Sequence, residues 1–160
     1  MKHKFHPILW LIIGILTVFI IGLFYFYPRP LHLPEQIVLQ LRTETETISI
    51  EEEIQIQPFI DLLGSVKLRR ELVPYDGLWP ENNVQADQYV IIEIYDGAVI
   101  HNHVPAHVCD ISLVKSDLDA SRLVWPSTNN RNKCKLVTTE ETLQGLIRLT
   151  EESFSASAHE

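Results

Sequence analysis

Between His101 and Cys109 the chain reads His-Asn-His-Val-Pro-Ala-His-Val-Cys, which places four nitrogen or sulfur donors within nine residues. Side chains at i and i+2 of a strand point to one face, so His101 and His103 can share a metal, and His107 with Cys109 repeats the spacing beyond Pro105. Such a donor set suits zinc or copper. A bland reading competes with it. Asp96-Gly97 separates two β-prone runs and has the composition of a two-residue hairpin turn. A turn there would pair Ile94 with Val99, Ile92 with His101 and Val90 with His103, setting both histidines on an otherwise apolar face. The expectation is that these histidines are structural, with metal binding through His101, His103 and His107 as the alternative.

Two other groups can do chemistry. Tyr75 and Trp79 lie in the segment Pro-Tyr-Asp-Gly-Leu-Trp-Pro, whose composition predicts a loop. Exposed aromatics on a loop can anchor a protein or glycan partner, although a lone Trp more often folds back onto the core. Cys109 and Cys134 are the only two cysteines. Outside the cytoplasm an even count permits a disulfide, and a loop of about 25 residues would gain roughly 3.5 kcal/mol from it. The alternative is a pair of buried thiols; the bond is expected. Nucleophile-elbow, zincin, P-loop and dinucleotide signatures are missing, so no reaction is indicated and no cofactor is expected.

The elements that would position these residues follow from periodicity. Runs at 36–42 and 47–50 alternate as strands. Ile56, Phe59, Ile60 and Leu63 mark a helical face, with Pro58 suited to a first turn and Gly64 to the end; a start at Glu51 would place Pro58 inside the helix. Strands are expected over 66–72, 89–95, 98–104, 107–114, 123–125 and 134–137. A final helix opens at Thr138, with Glu141 at capping-box spacing, and buries Leu143, Leu146, Ile147, Thr150 and Phe154. Strands come in blocks and helices do not alternate with them. The expected fold class is therefore α+β, a two-layer domain of an antiparallel sheet with two helices on one face.

A further element precedes that domain. Ile8–Tyr27 is uncharged, lacks a polar stripe and carries Trp10 near one end and four aromatic residues at the other. Its twenty residues match the thickness of a bilayer core, so a transmembrane helix over 8–27 is expected. A removed signal peptide is the alternative; such peptides are shorter and end in small residues, whereas this stretch ends in aromatics and Pro28-Arg29-Pro30. Lys2 and Lys4 precede the stretch, so the expected localisation is a single-pass cell-membrane protein: residues 1–7 form a cytoplasmic basic N-terminus and the C-terminal domain is extracytoplasmic. Residues 28–35 read as a proline-rich stalk, 36–154 as the domain and 155–160 as a flexible tail.

Charge narrows the partners. The chain has 21 acidic against 13 basic residues, and all but two of the basic ones follow the apolar stretch. An acidic surface repels phosphate backbones, so nucleic acid is not an expected partner. With its basic start, the ISIEEEIQIQPFIDLLGSVKLRR block and the KLVTTEETLQGLIRL ending, the chain resembles small uncharacterised membrane-attached extracytoplasmic domains of Gram-positive bacteria. Many of those are lipoproteins, and no cysteine stands directly after the apolar stretch here. The resemblance implies a location and no activity. The expected function is a membrane-anchored accessory or interaction domain, not an enzyme, with the membrane and an unknown protein or cell-envelope component as partners.

Overall fold

The computed structural model of the chain describes residues 7–70, 88–102, 104–125 and 133–158, with the side chains of all of these but 7–9 and 133. Helix α1 (Pro7–Phe26) leads into β1 (Arg29–Pro30), β2 (Ile37–Arg42), β3 (Thr47–Ile50), α2 (Glu53–Leu63), β4 (Lys67–Arg70), β5 (Tyr89–His101), β6 (Val104–Val114), β7 (Arg122–Val124), β8 (Lys133–Val137) and α3 (Glu140–Ser157). The strands form one sheet in the order β1-β4-β8-β7-β6-β5-β2-β3, antiparallel at every step.

This replaces the expected architecture. The described residues form eight antiparallel strands in one sheet and three α-helices, where a spanning helix joined to a two-layer domain of an antiparallel sheet with two helices on one face was expected. Among the described residues no helix is long and apolar enough to cross a membrane. The single-pass assignment is corrected on that ground. So are the signal-anchor reading and the cytoplasmic and extracytoplasmic sides derived from it. The apolar side chains of α1 are nonetheless exposed along its length, Phe24 and Val18 by about 70%. The proline-rich segment that follows is no simple spacer. Arg29 pairs with Leu68 and Pro30 with Lys67, the Leu31 amide donates to the Val66 carbonyl at 3.1 Å, and Leu31 is buried.

The core lies between the sheet and the pair α2–α3. Leu39, Leu41, Ile92, Ile94, Ile111, Leu113 and Leu123 on one sheet face meet Ile56, Phe59, Leu63, Leu143 and Leu146. Each is a side chain at period two or 3.6, which is why the strands and helices fold onto one another. The helices approach closely at Gly145, where a Cβ would meet the Leu62 side chain at 3.0 Å. Helix α2 begins at Glu53, earlier than its proline suggested, and carries Pro58 inside. Ile54, Gln57 and Pro58 face solvent, so water can satisfy the carbonyl that Pro58 leaves without a donor. Helix α3 is capped one residue later than its capping-box spacing suggested, by Thr139, whose Oγ1 accepts from the Thr142 amide at 3.2 Å.

The hairpin at Asp96-Gly97 is also corrected. Strand β5 runs through this dipeptide, and β5 and β6 pair Ile94 with Cys109, Ile92 with Ile111 and Val90 with Leu113. A type I′ turn needs positive φ at both central residues, and no described glycine adopts one. Gly97 instead donates to the Gln36 carbonyl at 2.8 Å, and the Asp96 carboxylate accepts from the Ala98 amide at 2.9 Å, so the dipeptide is held as an irregularity within the sheet. The chain reverses after His101, where Asn102 has φ 51°, a left-handed value that asparagine tolerates.

The expected disulfide is absent: Cys109 and Cys134 are both buried thiols. Topology explains this. Cys109 is on β6 and Cys134 on β8, with β7 between them. Two strand spacings of about 4.8 Å exceed the ~7 Å between Cα atoms that a disulfide can bridge. Burial, with a smaller push from Asp110, raises the Cys109 thiol to about 12, so it stays protonated.

Candidate functional site

Of the expected metal ligands His101, His103 and His107, two are among the described residues. His101 ends β5, exposed, opposite Val104. His103 lies outside the described residues, as do Tyr75 and Trp79 of the aromatic loop. His107 and Cys109 are separated by a β-bulge: Tyr95 pairs with His107 and Ile94 with Cys109, which leaves Val108 as an extra residue. The bulge turns Cys109 into the core and His107 onto the other face. Among the described residues no three His, Cys, Asp or Glu side chains could hold one ion.

His107 belongs instead to a polar lattice that the sequence did not announce. Its Nε2 lies 2.6 Å from Asp110 Oδ1, and its ring stacks on Tyr95 with centroids 4.9 Å apart. The Tyr95 hydroxyl donates to Glu93 at 2.8 Å and approaches the Gln40 side-chain oxygen at 3.3 Å; Arg42 pairs with Glu93 at 3.0 Å. Glu93 and Asp110 are directly opposed across β5 and β6. Like charges so placed repel, and Arg42 and His107 supply the compensation. Asp110 is held above the usual carboxylate range first by burial and further by Glu93, against the downward pull of His107 and Arg42. Burial and the hydrogen bond to Glu93 push Tyr95 up to about 12, so it remains a donor. The side chains are engaged with one another, and the lattice serves to fix the bulge.

The two ends of the sheet offer more. Beyond β3, no described strand pairs with its outer edge. That edge borders a groove of about 330 Å³ between β3 and the two helices, lined by Ile48, Ile50, Phe59, Leu149, Glu152 and Ser153 among others. Its floor is apolar, because Ile50 and Phe59 are core residues, and its rim is polar. The opposite end is closed differently. Strand β1 has only two residues, one of them a proline without an N–H. Beside it lies a cleft of about 300 Å³ lined by the end of α1, β1, β4 and Trp125. Alternation at 47–50 marks β3 as a strand, but its edge position depends on pairings far along the chain. The cleft exists only because the proline-rich segment pairs with β4. Periodicity registers neither.

No family model matches this chain, and neither a curated protein nor a solved structure does.

Proposed function

We propose that this chain is a non-enzymatic accessory domain that binds a protein partner by accepting an extended segment along β3. The observation that carries this reading is the edge itself. Thr47–Ile50 has no proline and no lysine, the residues with which proteins commonly blunt such edges, and an apolar-floored groove runs beside it. An added strand would be held by main-chain hydrogen bonds, and its alternate side chains would enter the groove. The absence of an enzymatic role is part of the proposal. Its support is that Glu93, Tyr95, His107 and Asp110 are spent on one another. The acidic balance of the chain supports a protein partner over nucleic acid.

The test places a photo-activated cross-linking residue at Ser49, on β3, and in a second protein at Lys67, on β4; both positions are exposed. A partner captured from Ser49 and not from Lys67, through a short extended segment identified by mass spectrometry, is the expected result. A synthetic copy of that segment should bind the full chain, and Ser49→Lys should weaken it, because a lysine side chain is one of the devices that blunt an edge strand. Equal capture from Ser49 and Lys67, or a segment that binds Ser49→Lys unchanged, overturns the proposal.

A further inference from the structure

The cleft at the β1 end has a composition unlike the rest of the chain. Leu68 and Cys134 make an apolar floor, Tyr25, Tyr27 and Trp125 contribute aromatic walls, and Arg29 and Arg70 stand at the rim. No carboxylate is among the described residues that line it, although the chain as a whole has more acidic than basic residues. The register sets the two guanidinium-bearing residues together. Arg29 pairs directly with Leu68, and Arg70 lies two residues along β4 from Leu68. All three therefore share one face, with the arginines as diagonal neighbours roughly 7–8 Å apart at their Cα atoms. Arg70 is held over the Tyr25 ring, its Cζ 5.0 Å from the centroid, an arrangement that fixes the direction of its planar fork.

Two cations so placed repel each other unless an anion sits between them, and a pair of guanidinium forks matches the oxygens of a phosphate. Tyr25 and Tyr27, which line the cleft, continue in the chain a run of exposed apolar side chains that includes Leu23 and Phe24 of α1. A contiguous apolar surface of this kind beside a cationic rim fits a ligand with one charged end and one aliphatic end. We propose that this cleft binds a phosphate ester carrying an aliphatic chain, the phosphate between Arg29 and Arg70 and the chain along the C-terminal turns of α1. The site is at the far end of the sheet from β3, so it stands whether or not a peptide binds there.

The experiment titrates the full chain, in a nonionic detergent, with dihexanoyl phosphatidylglycerol, with inorganic phosphate and with uncharged dihexanoylglycerol, and follows binding by calorimetry. The phosphatidylglycerol should saturate at one equivalent and bind more tightly than either of the others. Arg29→Ala and Arg70→Ala should each weaken it roughly 10- to 100-fold, the worth of a hydrogen bond to a charged group. Circular dichroism should show both variants folded; Arg29→Gln and Arg70→Gln replace any that is not, with the same loss expected. Inorganic phosphate binding as tightly as the ester removes the aliphatic half of the proposal. Dihexanoylglycerol binding as tightly removes the phosphate half, and affinity unchanged in the arginine variants removes the site.

Discussion

The two edges of this sheet are built on different terms. Strand β1 is two residues long, contains a proline, and is flanked by the end of α1 and the side chains of Arg29 and Arg70. Strand β3 is four residues of plain alternation next to an apolar-floored groove. An unprotected edge invites another strand, and a blunted one does not. One domain can therefore hold a surface for main-chain pairing at one end and a side-chain cleft at the other without either interfering. The difference also shows that edge character is set by a few residues: a single proline and a pair of arginines distinguish β1 from β3.

Substitutions that remove core volume should separate the two ends most strongly. Phe59 is 1% exposed and forms part of the groove beside β3. Phe59→Ala should lower the unfolding free energy by about 3–5 kcal/mol in chemical denaturation and abolish binding at β3. Leu68, on a four-residue strand near the other edge, is 8% exposed. Leu68→Ala should cost about 2 kcal/mol, the low end for a large-to-small change, and leave β3 binding intact. Equal costs, or a loss of β3 binding in Leu68→Ala, would join the two ends into one unit.

A smaller, pH-dependent effect is expected from the centre of the sheet, which separates the edges. Asp110 has a folded-state pKa above its ordinary 3.8, chiefly through burial. The folded chain therefore holds this proton at pH values where the unfolded chain has lost it. Stability due to Asp110 is greatest below 3.8 and falls as pH rises through the raised folded value. Wild type should accordingly gain on Asp110→Asn as pH falls through that window, measured as the difference in denaturation midpoints. A difference that stays flat, or that widens in favour of the variant toward acid, contradicts the burial argument. The least effect is expected at exposed positions on the strands. Ser49→Lys and Lys67→Ser are exposed changes and should each move stability by no more than about 0.5 kcal/mol, so that the binding lost in Ser49→Lys reports on pairing alone.

Local pattern made some of this legible in the sequence. Helix α3 is readable because Leu143, Leu146 and Thr150 are buried at helical spacing, and α2 because Ile56, Phe59 and Leu63 are. Strands β2 and β3 follow from alternation. What failed depended on pairing between distant segments. Asp96-Gly97 has the composition of a tight turn, yet its neighbours are held by β2 and β6 and the reversal falls at Asn102. The donors at His107 and Cys109 have ligand-like spacing, and one bulge residue, Val108, sends them to opposite faces. Two cysteines suggested a bond, but β7 runs between them. The apolar stretch at the start is plain in the sequence; among the described residues no helix is long and apolar enough to cross a membrane, and the sequence did not show that the residues after the stretch pair with β4.

The strand order also sets a schedule for a chain emerging from the ribosome. The pairs β2–β3, β5–β6, β6–β7 and β7–β8 join neighbours in sequence and can close as soon as their residues are free. Strand β4 pairs with no neighbour in sequence; its partners in the sheet are β1 and β8. It must wait for β8, joining Leu68 to Leu136, and the entropy of closing so long a loop delays it. The meander from β5 to β8 is therefore complete before β4 docks, and β4 carries β1 with it. A chain stopped short of β8 would keep the β2–β3 hairpin and leave Arg29 and Arg70 without the neighbouring strand that aligns them. Within the sheet, the β1 end is then the last part to be assembled.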